Sequence, residues 1–213
     1  MGCLIGIPDK LFLWDRRAKS HSVSPATVAE VVDYLNHRDL RDVKIRVNQY
    51  DPVGEWGRLV SNRRIAAPWR YSVGLLKQAK YIFLPGRLFG RDEYNPYTNT
   101  LSLYSDLPSL GLVEAAYARD IAVRKCPGTY ATAQMFPLVS MWHETIATDE
   151  VLTYVAIRGT QEQRRKVRRD LFARYGMQLG GEVSSVLPDG SCVYKLIGAI
   201  GGHAAAAVHD CAE

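Results

Sequence analysis

Residues 94–120 decide the fold, and they read YNPYTNTLSLYSDLPSLGLVEAAYARD. Residues 94–99 contain a proline and two asparagines, a composition typical of a turn. Residues 100–104 alternate in polarity, which predicts a strand. Asp106 is followed two residues later by a proline, so we expect Asp106 to cap a helix that runs to about Lys125. The stretch predicts a turn, a strand and a helix in direct succession.

The sequence before this stretch predicts mixed structure. Ser24-Pro25 is a helix-start signal, because serine caps a helix and proline suits its first position. Residues 42–50 alternate between β-branched and polar side chains and predict a strand. Residues 51–69 are rich in proline and glycine and predict turns. Residues 72–80 predict a helix, and Tyr81–Leu84 predicts a short apolar strand.

Longer helices are predicted after it. Met135–Arg158 and Thr160–Tyr175 have helical periodicity, and the second of them is basic. Pro188-Asp189-Gly190 predicts the turn of a hairpin, and Leu196–Val208 is an apolar segment rich in glycine and alanine. The strands come mainly before the long helices, which indicates an α+β fold in which a small sheet precedes two long packed helices.

Composition places the chain among ordinary globular proteins. It has 213 residues, of which 47% are hydrophobic and 23% charged. The apolar segment 196–208 is too short for the roughly 20 residues of a spanning helix. We expect one α+β domain over residues 1–175, with a hairpin and apolar tail over 176–213 packed on it or on a partner. Four cysteines without CxxC spacing favour a reducing intracellular compartment.

The net charge of +5 is concentrated in one segment. Residues 158–174 alone net +5, and the remainder of the chain is neutral. Three interpretations stay open: a solvated face, contact with an acidic subunit or an anionic lipid surface, and nucleic-acid binding. Aromatic residues are not interleaved with the arginines, which counts against recognition of single-stranded RNA. The candidate partner- or lipid-binding residues are Arg158, Arg164, Arg165, Lys166, Arg168, Arg169 and Arg174.

The pentapeptide Val113-Glu114-Ala115-Ala116-Tyr117 and its surroundings resemble the zincin metallopeptidases of the gluzincin type. Those enzymes carry H-E-x-x-H on a helix behind an edge strand, because residues i and i+4 share a face and two imidazoles converge on zinc. The Tyr-Asn-Pro-Tyr-Thr-Asn turn and the Tyr-Ser-Asp cap support the resemblance, which covers about residues 42–155. It implies that His143–Asp149 lies in the second helix of the family, where Glu144 would supply the third zinc ligand.

This chain departs from the family at the metal ligands. Val113 and Tyr117 stand where the family has histidines, and a valine has no donor atom. The phenol of tyrosine has a pKa near 10 and binds zinc poorly at neutral pH. Glu114 would then have no metal-bound water to activate. We therefore expect no cofactor and an apolar contact between two helices, where a buried Glu114 must find a hydrogen-bond partner.

An unrelated α+β domain stays open beside this interpretation, with Leu110, Val113, Tyr117 and Ile121 packed against the 135–158 helix. The sequence favours a non-catalytic accessory or scaffolding subunit of a larger, membrane-associated assembly. The periphery of the mitochondrial inner membrane would suit a basic chain. Two alternatives remain: an active zinc hydrolase in which Glu114, His143 and Glu144 converge, and an RNA- or ribosome-associated protein that uses the basic helix.

Overall fold

The computed structural model describes residues 7–84, 91–186 and 191–212, and it has the predicted α+β architecture. The helices are α1 (Ile7–Phe12), α2 (Pro25–His37), α3 (Pro52–Ser61), α4 (Ala67–Trp69), α5 (Leu75–Phe83), α6 (Pro108–Ala122), α7 (Pro127–Ala133), α8 (Pro137–Arg158), α9 (Gln161–Val186) and α10 (Ser191–Ala212). A π-helical turn, Arg70–Gly74, joins α4 to α5. The strands are β1 (Lys44–Val47), β2 (Glu93–Asn95) and β3 (Thr100–Leu103).

The three strands form one small sheet in the order β1-β3-β2. β1 is parallel to β3 and pairs Val47 with Leu103. β2 is antiparallel to β3, pairs Tyr94 with Leu101, and lies at the edge of the sheet. Residues 96–99 form the turn that connects β2 to β3, and Asn99 adopts a left-handed conformation with φ of 53° in it. The strands predicted within 42–50 and 100–104 are confirmed as β1 and β3. The turn predicted at 94–99 is shorter than expected, because Tyr94 and Asn95 belong to the edge strand β2.

Helix α6 is the centre of the fold. It packs against α2, α8, α9 and the sheet, and residues 109–116 are all buried. A Cβ on Gly111 would lie 2.7 Å from Val31 of α2, so α6 and α2 approach too closely there for a side chain. A helix covered on all sides places any charged residue it carries in the interior of the protein.

Asp106 caps a different helix from the one we predicted. Helix α6 begins after Leu107, which makes no side-chain capping bond. Asp106 Oδ1 instead accepts hydrogen bonds from the Ser24 backbone N–H at 2.9 Å and from the Thr27 hydroxyl at 2.7 Å. It therefore supports the first turn of α2, whose N-cap is Ser24 as predicted.

Two local predictions upstream are wrong. Residues 51–69 contain helices α3 and α4 in place of turns; Asp51 caps α3 by accepting from the Gly54 N–H at 2.9 Å. The buried side of α3, which includes Glu55 and Leu59, stabilises this helix despite its two glycines. Tyr81–Leu84 is not a strand, because α5 continues to Phe83.

The C-terminal region is a helical hairpin, not a β-hairpin. Helix α9 continues without a break across the predicted boundary at residue 175, and α10 follows Pro188-Asp189-Gly190, which lies outside the described residues. A Cβ on Gly176 or on Gly198 would lie 1.9 Å from the other glycine's carbonyl oxygen. The two helices therefore meet backbone to backbone, which only glycine permits.

Among the described helices, none is both long and apolar enough to cross a membrane.

Candidate functional site

Four side chains meet where α6, α8 and α9 pack together. Glu114 and Tyr117 come from α6, Glu144 from α8 and Arg174 from α9. The guanidinium of Arg174 lies between the two carboxylates: Nη2 donates to Glu114 Oε1 at 2.8 Å, and Nε donates to Glu144 Oε1 at 3.0 Å. The Tyr117 hydroxyl donates to Glu144 Oε2. We call these four residues the Arg174 centre.

The edge strand holds the second oxygen of Glu114. The Tyr94 backbone N–H, on β2, donates to Glu114 Oε2 at 2.9 Å. Both carboxylate oxygens are therefore engaged, one by an arginine 60 residues further along the chain and one by the sheet. We expected a buried Glu114 to have a hydrogen-bond partner. It has two, Arg174 and the Tyr94 backbone N–H of the sheet.

Burial dominates the electrostatics of the centre. Loss of hydration raises the pKa of Glu114 to about 7, although Arg174 and the Tyr94 N–H act to lower it. Burial acts to lower the pKa of Arg174, but the two glutamates outweigh this effect and the pKa lies above its usual value. Arg174 is therefore a permanent cation shared by two carboxylates.

The residues of the centre do not fit a zinc ion. Val113 is fully buried and has no donor atom, and the Tyr117 hydroxyl is committed to Glu144. The lone pairs of Glu114 and Glu144 that would face a metal accept from the Arg174 guanidinium. No three His, Cys, Asp or Glu side chains in residues 7–84, 91–186 and 191–212 are arranged to hold a metal ion. The expected apolar contact between the helices is wrong, because an internal ion-pair network joins them.

A second polar cluster lies beside the centre. His143 Nδ1 is 2.6 Å from Asp120 Oδ2, and the Tyr130 hydroxyl donates to the same oxygen at 2.7 Å. Burial acts to raise the pKa of Asp120, but the hydrogen bonds from His143 and Tyr130 together hold it below its usual value. Burial lowers the pKa of His143. The imidazole is thus neutral at pH 7, donates through Nδ1 and stacks on the Tyr117 ring with centroids 4.2 Å apart.

Both clusters border one cleft between the edge strand and α8 and α9. Its volume is about 230 Å³, and Glu114, His143 and Glu144 are all among its lining residues. The three side chains that the hydrolase interpretation requires therefore lie around a single cavity. Each is already paired: the glutamates with Arg174 and the histidine with Asp120.

The basic segment divides into buried and exposed cations. Arg174, which we expected to contact a partner or lipid, is not available for such a contact, because it lies inside the protein between Glu114 and Glu144. Arg168 is mostly buried and pairs with Asp210 of α10 at 2.9 Å. The exposed or partly exposed members are Arg158, Arg164, Arg165, Lys166 and Arg169.

We did not predict that Arg174 pairs with internal acids, although the periodicity of α9 places it on the buried side of that helix. Val167 and Leu171 mark the buried face of α9, and Arg174 lies seven residues after Val167, on the same face. A cation on an apolar stripe requires an internal acid, and Glu114 on α6 was already predicted to be buried. The two observations together would have paired these residues.

Comparison of the chain with protein-family models, with curated proteins and with solved structures gives no match. The resemblance to the zincins therefore depends on the residues quoted from the sequence alone.

Proposed function

We propose that this chain is a non-catalytic accessory or scaffolding subunit of a larger, membrane-associated assembly, built on a zincin-like domain that has lost its metal. The observation that carries the proposal is the Arg174 guanidinium between Glu114 and Glu144. In a zincin, a metal cation would neutralise the acids on these two helices. Here an arginine neutralises them, and the domain keeps its packing without a metal.

The chemistry of arginine supports a non-catalytic centre. A guanidinium compensates charge as zinc does, but it binds no water molecule whose pKa it could lower. Both Glu114 oxygens already accept hydrogen bonds, one from Arg174 and one from Tyr94, and these bonds oppose its use as a general base on a substrate. The centre is therefore suited to holding three helices and the sheet together.

Exposed apolar residues support a role in an assembly. Large apolar side chains face solvent on two separate surfaces, and contiguous apolar surface on a folded protein marks interaction sites. On α3 they are Val53, Trp56 and Val60, and before and within the first turns of α8 they are Met135, Phe136, Leu138 and Trp142. Tryptophan and phenylalanine are frequent anchors of protein interfaces.

An active hydrolase is the second candidate. The placement of Glu114, His143 and Glu144 around one cleft favours it. It requires that the ion pairs with Arg174 open, so that the carboxylates become available to a metal or a substrate.

Metal analysis distinguishes the two functions. The purified chain is incubated with zinc and dialysed, and its zinc content is measured by mass spectrometry. A variant is treated in the same way; in it Val113→His and Tyr117→His introduce two imidazoles, and Arg174→Leu removes the guanidinium. We expect clearly substoichiometric zinc in the native chain and about one zinc ion per chain in the variant. Stoichiometric zinc in the native chain that Glu114→Gln removes would contradict the metal-free centre and favour the hydrolase.

The assembly is tested separately by the native size of the protein. We expect an epitope-tagged chain, extracted from native membranes with a mild detergent, to migrate with a large complex. Recovery of a lone monomer in the absence of detergent would contradict the scaffold.

A further inference from the structure

In a water-soluble helical hairpin the large apolar side chains of each helix pack inside. In helix α10 they are exposed. On the inner side of α10, Gly198 and Gly202 contact the α9 backbone, and Ala199 and Ala206 are buried. We call the exposed apolar residues on one side of the helix the outer face, and they are Val193, Leu196, Ile197, Ile200, Ala204, Ala207 and Val208; Gly201, Ala205 and His209 are exposed beside them.

The outer face carries no charged side chain from Val193 to Val208, about 24 Å of helix. Lys195 lies on the side of α10 that packs on Gly181 of α9, and Asp210 is held by Arg168 of α9. A helix with one wholly apolar, exposed side and its other sides packed on protein is typical of segments that lie in the plane of a membrane surface.

Trp14, two residues after the end of α1, extends the same surface. The Trp14 ring stacks on His203 of α10 with centroids 4.2 Å apart, yet Trp14 is 66% exposed. His203 lies seven residues after Leu196 and so borders the outer face. Leu11 is also exposed. Tryptophan at the edge of an apolar surface suits the boundary between lipid headgroups and acyl chains.

Exposed cations lie near this surface. Arg16 lies two residues after Trp14, and it is exposed. On α9, Arg168 pairs with Asp210, which places the exposed Arg164 and Arg165 beside the C-terminal end of α10. The next cation, Arg169, already pairs with Asp170 at 3.2 Å. An apolar protein partner would offer no counter-charge to Arg16, Arg164 and Arg165, whereas anionic phosphates would.

We propose that α10 lies flat on the surface of an anionic bilayer, with its outer face among the acyl chains and the cations of α9 against the phosphates. This inference names the contact through which the proposed assembly would meet a membrane. It depends on α10 and not on the Arg174 centre, so the two proposals can fail independently.

The test is flotation of the full chain with vesicles of phosphatidylcholine, with and without roughly one-third phosphatidylglycerol. We expect binding to the anionic vesicles, weaker binding to the neutral ones, and a blue shift of fluorescence that Trp14→Phe reduces. The variant I197D/I200D should lose binding, and V53D, an equally drastic change at an exposed position on α3, should not. The variant R164E/R165E should bind at least about twenty-fivefold more weakly, since each cation contributes about a fivefold factor; R41E/R63E, which reverses two exposed charges elsewhere, is its matched control.

Circular dichroism and thermal unfolding establish that each variant is folded, and I197S/I200S replaces I197D/I200D if the latter is not. Failure of the native chain to bind anionic vesicles, or equal binding by I197D/I200D, overturns the proposal. So does a soluble dimer that I197D/I200D dissociates, because a second copy would then cover the outer face. Stoichiometric zinc in a chain that binds vesicles would overturn the scaffold function alone.

Discussion

Two arginines in this protein each hold two carboxylates, and they differ in where the acids come from. Arg46 on β1 donates to Glu55 at 2.7 Å and to Asp51 at 3.0 Å, and both acids lie within nine residues along the chain. Arg174 reaches Glu144 and Glu114, which are 30 and 60 residues away. The first cluster joins a strand to the next helix, and the second joins three distant helices and the sheet.

The two clusters also differ in solvation. The Asp51 side chain is 46% exposed, whereas those of Glu114 and Glu144 are 5% and 4% exposed. If Arg46 is lost, water can solvate one of its acids. If Arg174 is lost, two carboxylates remain buried together without a cation. The comparison teaches that the same three-charge motif supports local structure in one place and tertiary structure in the other.

The largest expected effect separates the two arginines directly. Arg174→Met should lower the free energy of unfolding by about 3–5 kcal/mol, because it leaves two buried, uncompensated carboxylates. Arg46→Met should lower it by about 2–3 kcal/mol, since only Glu55 stays buried. Urea unfolding followed by circular dichroism measures both. Equal losses would mean that solvation of Asp51 contributes nothing.

Neutralising the acids should rescue the Arg174 variant. In the Arg174→Met background, Glu114→Gln and Glu144→Gln together should recover about 2–4 kcal/mol, because amides cost much less to bury than unpaired charges. The same urea titration measures the recovery. The matched change in the Arg46→Met background, Asp51→Asn, should recover little, and a comparable rescue there would remove the distinction between the clusters.

The two clusters should respond to pH with opposite sign. Burial raises the pKa of Glu114 to about 7 in the folded protein, so between its unfolded value and about 7 the unfolded chain binds fewer protons and stability falls as pH rises. The fall should reach about 3 kcal/mol and vanish in Glu114→Gln. The Gly54 N–H and then Arg46 hold the pKa of Asp51 below its usual value, so that group contributes stability that is lost as pH falls.

Urea unfolding extended down to about pH 2.5 measures the Asp51 slope, with Asp51→Asn as the companion variant. Urea unfolding from about pH 4.5 to 8 measures the Glu114 slope. A native chain whose stability rises across this range to the same extent as that of Glu114→Gln would contradict the raised pKa of Glu114.

The smallest expected effects compare one hydroxyl in each cluster. Tyr117→Phe removes the donor to Glu144, and Thr100→Val removes the donor to Glu55 at 2.9 Å. Each buried glutamate keeps its arginine, so each variant should lose only about 1–2 kcal/mol. Calorimetry of the two variants at pH 7 measures the losses. A larger loss for Thr100→Val would reverse the ranking of the clusters.

The sequence determines the local elements of this fold better than their packing. Ser24-Pro25 marks the start of α2 because capping depends on adjacent residues. Helix α3 is hidden by its glycines, since its stability comes from burying Leu59 in tertiary contact. The same reason explains Asp106, whose partners Ser24 and Thr27 are about 80 residues earlier.

The candidate site was predictable only in part. The burial of Glu114 and the absence of a metal-donor atom at Val113 could be inferred from residue types in a helix. The pairing of Glu114 with Arg174 could be inferred only by combining two observations, the position of Arg174 on the apolar side of α9 and the burial of Glu114, because the two residues are 60 positions apart. Charge runs are usually solvated, and here the last cation of the run is internal.

The origin of the internal cation affects how the protein is made. A metalloprotein completes its centre by taking an ion from the cell, at any time after its ligands are in place. Here the counter-charge is encoded in the polypeptide and is delivered only when α9 docks. A nascent chain that ends before Arg174 lacks the cation that pairs with Glu114 and Glu144, so the domain reaches its final stability only after α9 has been synthesised and has docked.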